Sequence, residues 1–170
     1  MRNILETGTS LKFKHISENK MKIISELLKN QELLRRVSFL DGDYDSNKIV
    51  TPQDVLRDNI VLTKFSEEVL TERRVTIFFS SLRGNFRRKS VVSEDTYAMD
   101  IIIPNKHWYC YEEMVERAFV IAEEVSKSID QKRIAGIGEV FISEWKTYKL
   151  NDRHAGLTLF INVSNATIKR

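Results

Sequence analysis

The sequence predicts an α+β domain: a sheet of about four strands, mainly antiparallel or mixed, with helices packed on one face. Three observations carry that expectation. Apolar residues recur at three- and four-residue steps in an N-terminal stretch and again after residue 112, the period of an amphipathic helix. In four other segments they alternate at two-residue steps, the period of a half-buried strand. The resulting order is helix, short helix, two strands, helix, two strands. Each element has one face to bury, and helices stacked on the apolar side of one sheet bury them all.

From Ser17 to Leu40 the stripe is Met21, Ile24, Leu27, Leu28, Leu34 and Val37, and Asn30 is placed to break it in two. Asp41-Gly42-Asp43-Tyr44-Asp45-Ser46-Asn47 reads as a loop, because Asp and Asn side chains bond their own backbone and favour turns. Residues 1–50 are thus expected to be an N-terminal helical segment and loop, and residues 51–170 the α+β body of a single domain. At Thr51-Pro52-Gln53-Asp54 a capping residue precedes a proline and an acid, which predicts a short helix.

Val75, Ile77 and Phe79 alternate with Thr76, Phe78 and Ser80, a β-branched and aromatic run that predicts a strand. Residues 82–89 read as a hairpin tip. The return strand puts Tyr97, Met99, Ile101 and Ile103 on one face, and Pro104 ends it because proline cannot donate to a ladder. Glu112 to Asp130 gives a helix with the stripe Val115, Ala118, Phe119, Ala122, Val125 and Ile129. Acids at its start and Lys127 near its end complement the helix dipole, and Gly136 and Gly138 supply the exit. Two strands follow, one with Val140 and Ile142 opposite Phe141, Ser143 and Trp145, the other with Leu157, Leu159, Ile161 and Val163 inward.

Composition bounds the function. The 170 residues are 42% hydrophobic, enough for a core, and 27 basic against 24 acidic residues leave a net charge of only +3. No apolar run reaches the roughly 20 residues that span a bilayer, and the opening fifteen residues lack the apolar centre of a secretory signal. A soluble protein made in a cytoplasm is expected, and the single Cys110 fits a reducing compartment.

Signatures of chemistry fail one by one. His15, His107 and His154 are scattered, with no second histidine or cysteine at metal spacing. Asp41, Asp43 and Asp45 begin like a calcium loop, but its glycine is misplaced and Pro52 stands where the bidentate glutamate belongs. Gly136-Ile137-Gly138 lacks the third glycine of a dinucleotide fingerprint and leads into a strand. Glu144-Trp145-Lys146 taken with Asp100 resembles the carboxylates and lysine of Mg²⁺-dependent nucleases, although a long helix separates the two parts in sequence. No enzymatic activity, cofactor or metal is expected. One feature stands out. Between Arg73 and Lys89 there are six basic residues and no acid, and Arg83, Arg87, Arg88 and Lys89 cluster at the hairpin tip. That surplus suits an anionic neighbour, either phosphate or an acidic protein surface.

The chain's segments and short phrases, "ERRVTIFF", "MDIIIPNKHW", "ERAFVIAEEVSKSID", "KRIAGIGEV" and "HAGLTLFINVSNA" after a leucine pair near Asn30, resemble the tail terminator and neck proteins of long-tailed bacteriophages across residues 20–166. The resemblance implies a structural virion protein assembled in the host cytoplasm as a homo-hexameric ring, with the tail tube protein and the connector as partners. It carries no catalytic residues with it. In such a ring the hairpin-tip residues Arg83, Arg87, Arg88 and Lys89 are expected to face either passing double-stranded DNA or an acidic partner ring, and the amphipathic helix before Leu40, set apart by the polar loop at 41–47, is expected to pack on a neighbouring subunit or adjacent ring as much as on its own domain. Two other classes stay open: a small basic nucleic-acid-binding module, and an Mg²⁺ nuclease using Asp100, Glu144 and Lys146.

Overall fold

The structure is a computed structural model that describes residues 7–40, 47–63, 70–71, 74–85, 92–110 and 113–166. Helix α1 (Thr7–Leu27) and α2 (Gln31–Ser38) meet at Asn30, as the broken stripe predicts. The Asn30 side chain does two jobs. Its Oδ1 caps α2 by accepting from the amides of Glu32 and Leu33 at 3.0 and 3.1 Å. Its Nδ2 donates to the Glu124 backbone oxygen and carboxylate and to Ser128 Oγ, which ties α2 to the later helix. Helix α3 (Pro52–Asp58) starts at the expected Thr51 cap.

Among the described residues six strands form one sheet, where about four were expected. β1 (Ile60–Val61) pairs parallel with β2 (Thr76–Asn85); β3 (Val92–Pro104) is antiparallel to β2; β8 (His154–Ala166) lies between β3 and β7 (Gly138–Lys149); and β6 (Lys132–Ile134) flanks β7. The four long strands are the expected ones. The additions, β1 and β6, are two and three residues long, too short to display any period.

The period-2 reading fixes the core. Tyr97, Met99, Ile101, Ile103, Leu157, Leu159, Ile161 and Val163 are all buried on one face, against Ile23, Ile24 and Leu27 of α1, Leu33, Leu34 and Val37 of α2, and the later helix α4. The N-terminal helices therefore pack in the core of their own chain, which corrects the expectation that they pack on a neighbour as much as on their own domain. A stripe of six buried aliphatic side chains next to an apolar sheet has its partner at hand.

α4 runs from Arg117 to Ile129, five residues shorter at its start than the sequence suggests. Met114 takes a left-handed backbone, φ 57°, and closes a small hairpin in which β4 (Tyr109–Cys110) pairs with β5 (Val115–Glu116). Val115 is thus in a strand pair, not on the helical stripe. Glu113 leaves the helix and pairs with Arg36 at 2.6 Å. The helix exit is made by Gln131, φ 55°, while Gly136, φ 77°, turns β6 into β7. β2 also runs further than expected: residues 82–85 are strand, with a bulge between Ser81 and Arg83, and not a tip.

Candidate interaction surface

Of the four basic residues singled out in sequence, Arg83 is described; Arg87, Arg88 and Lys89 lie outside the described residues, as does the calcium-like run at 41–45. Arg83 is exposed on β2, opposite Thr96 on β3. Its neighbourhood is not free of acids. Gly84 lies opposite Asp95, and a Cβ on Gly84 would sit 2.8 Å from Asp95 Oδ1. Asp95 is buried on the core face, held by Asn19 Nδ2 at 3.4 Å, and its Oδ1 and Asn19 Oδ1 have no hydrogen-bond partner. Burial raises its pKa from the ordinary carboxylate value, against the lesser pull of the Asn19 hydrogen bond and the His15 charge.

Asp100, Glu144 and Lys146 share the opposite face of the sheet. The register sets Asp100 beside Thr158 and Thr158 beside Lys146, with Phe160 beside Glu144, so a whole strand separates the aspartate from the other two. Two strand spacings set the backbones of Asp100 and Glu144 about 9–10 Å apart. Asp100 Oδ1 instead accepts from Thr158 Oγ1 and from the Tyr148 hydroxyl at 3.4 Å. The Tyr148 ring covers Gly156, where a Cβ would lie 2.5 Å from Cζ. Burial first and the Asp100 charge second push the Tyr148 phenol above its usual range, so it remains a donor. Among the described residues no group of three or more His, Cys, Asp or Glu is placed to hold a metal ion.

His15 pairs with Glu18 at 3.4 Å, and His154 Nε2 lies 3.3 Å from the Thr71 carbonyl. The His107 carbonyl accepts from Arg117, a buried arginine that also donates to the Phe39 carbonyl. Cys110 is buried. These groups hold the fold together and are scattered through it.

The surface that the structure does build is a pair of sheet edges. β1 covers β2 only at Ile77 and Phe78; there Lys20 Nζ, its pKa lowered by burial, donates to the carbonyls of Leu62 and Phe79 and ends the pairing. Beyond it, no described strand lies beside β2 as far as Asn85. On the far side, β6 covers β7 only from Gly138 to Val140, and Asp130 Oδ1 accepts from the Ile142 amide at 2.8 Å. From Ser143 to Lys149 no described strand lies beside β7, and Ser143 to Thr147 are all exposed. Each edge projects one large apolar side chain: Leu82 is 52% exposed and Trp145 57% exposed. The Trp145 ring is fixed edge-on against Phe119 of α4, centroids 5.3 Å apart. Sequence reading placed Trp145 on a strand but missed that the strand is an edge, because strand order is not encoded in any local period.

Comparison with known proteins supplies a family. A family model described as YomW matches residues 22–163. No curated protein matches.

Proposed function

Because the chain belongs to the YomW family, which is phage-derived, we propose that it is a structural subunit of the virion, a ring-forming tail terminator or neck protein that joins the tail tube to the head connector. The observation that carries this reading is the edge of β7, beside which no described strand lies from Ser143 to Lys149. A row of backbone donors and acceptors flanked by a fixed, exposed tryptophan is a surface that a monomer has reason to hide and an assembly has reason to use. The apparatus of the fold is otherwise spent on cohesion: the buried arginine, the Asn30 hub and the Tyr148–Asp100–Thr158 contacts all join its own elements. Among the described residues no helix is long and apolar enough to cross a membrane.

The basic run favours a second reading, a nucleic-acid-binding module, and one variant separates the two. Replacing Arg87, Arg88 and Lys89 together by serine removes three of the six basic charges between Arg73 and Lys89 and touches no residue of the described core. For a neck ring, electron microscopy of the resulting lysates shows heads and tails that fail to join, and infectivity falls, while the purified wild-type chain holds DNA only weakly. Normal joining in the triple variant, together with tight and steeply salt-dependent DNA binding by the wild-type chain, contradicts the neck reading.

A further inference from the structure

We propose that neighbouring copies of this chain join edge to edge, β7 of one copy lying antiparallel beside β2 of the next, with Glu144 opposite Arg83 of the neighbouring copy. The inference rests on the ring reading and names the surfaces that build the ring. Among the described residues both edges are capped inside the chain and then have no strand beside them. Lys20 ends the cover of β2 at Phe79 and Asp130 ends the cover of β7 at Ile142, so no described strand lies beside six residues of one edge, Ser80 to Asn85, or seven of the other, Ser143 to Lys149.

Direction and face agree. β2, β3, β8 and β7 alternate in direction, so β2 and β7 run opposite ways and a β2 edge meets a β7 edge antiparallel. Thr96 and Phe160, the partners of Arg83 and Glu144, sit on the same face of the sheet, because Thr96 opposes Asn162 two residues from Phe160. Pairing Arg83 with Glu144 therefore keeps the helices of every copy on the same side, as a cyclic head-to-tail contact requires. In that register, with Leu82 the extra residue of the β2 bulge, Trp145 comes beside Ser81 on the helix side of the sheet and next to the exposed Leu82. Lys146 then runs beside Ser80, which has oxygen to offer and no charge to repel. A two-fold pairing of β7 with itself would leave Leu82 and Arg83 uncovered and would close at two copies.

Cysteine cross-linking of the full chain tests the pairing, in a background where Cys110→Ala removes the native thiol. Directly opposed residues in an antiparallel pair have Cβ atoms about 4.5–5.5 Å apart, close to disulfide reach. Oxidising the double variant Arg83→Cys, Glu144→Cys gives a ladder of covalent oligomers on a non-reducing gel, and an equal mixture of the two single variants stops at dimers. Charge exchange is the second arm: Arg83→Glu alone weakens assembly roughly tenfold, and adding Glu144→Arg restores it. Native mass spectrometry of the background chain keeps the two claims apart. Oligomers that form without the 83–144 cross-link, or a Glu144→Cys variant that dimerises by itself, overturn this interface and leave the ring reading standing. A chain that is monomeric throughout overturns both.

Discussion

At the scale of single residues, Asp95 is the most informative side chain. Its carboxylate is buried below Gly84 with one long hydrogen bond from Asn19, and both Asp95 Oδ1 and Asn19 Oδ1 lack a donor. Tyr97, two residues along the same face, spends its hydroxyl on the Ile16 carbonyl, so it does not supply one. Burial holds the folded pKa of Asp95 above the unfolded value of about 3.9. The folded chain then binds more protons than the unfolded chain between those two values. This group's contribution to stability consequently falls as pH rises through that window and stays lost above it. Asp95→Asn removes the charge and offers an amide donor to Asn19. The variant is expected to melt above wild type at pH 7, with the gain shrinking as pH is lowered through the window. A lower melting temperature at pH 7, or a difference that ignores pH, counts against this account. The position was half legible in sequence. Tyr97, Met99, Ile101 and Ile103 were read as one inward face, and the same period extended back two residues lands on Asp95. A charge in that phase is easily taken as the end of the pattern, because alternation is judged by hydrophobicity and not by direction.

At the scale of elements, the helices carry the clearest correction. Ile23, Ile24, Leu27, Leu33, Leu34 and Val37 are each at most 3% exposed. Burying a side chain of this kind is worth about 1.5–3 kcal/mol, so the six together rival the whole stability of a domain, about 5–15 kcal/mol. Deleting residues 1–40 is expected to abolish the cooperative melting transition and the near-ultraviolet circular dichroism; a truncated chain that melts cooperatively would show that these helices are accessory. The break at Asn30 and the inward Ile24, Leu27, Leu34 and Val37 were readable from residue spacing, but Met21, read into the stripe, is 45% exposed while Ile23 and Leu33 are buried in its place, and the surface that receives a stripe is a tertiary fact. The same limit applies to α4. Its length was overestimated because Val115 falls in helical phase with Phe119, and only the left-handed backbone at Met114 takes it out of the helix. Short β1 and β6 escaped notice, and with them the information on where the sheet's edges are covered and where they stop being covered.

At the scale of the whole molecule, fold class followed from two periods, 3.6 and 2, and from the order in which they appear. Strand order did not, since β8 lies between β3 and β7 although it comes last in the chain. The candidate surface depends on that order: once β8 is inserted, β7 and β2 become the long strands whose outer sides are only partly covered by described strands, and Trp145 and Leu82 lie on them. Of the resemblance read across residues 20–166, the family match over residues 22–163 supports the coarser part, a phage-related protein. The central claim is that the molecule works as a ring of about six copies, and the mass of the assembled protein tests it most directly. Native mass spectrometry across micromolar concentrations is expected to show a dominant species at six times the mass of one chain, appearing cooperatively with few intermediates; a chain that remains monomeric over that range contradicts the account.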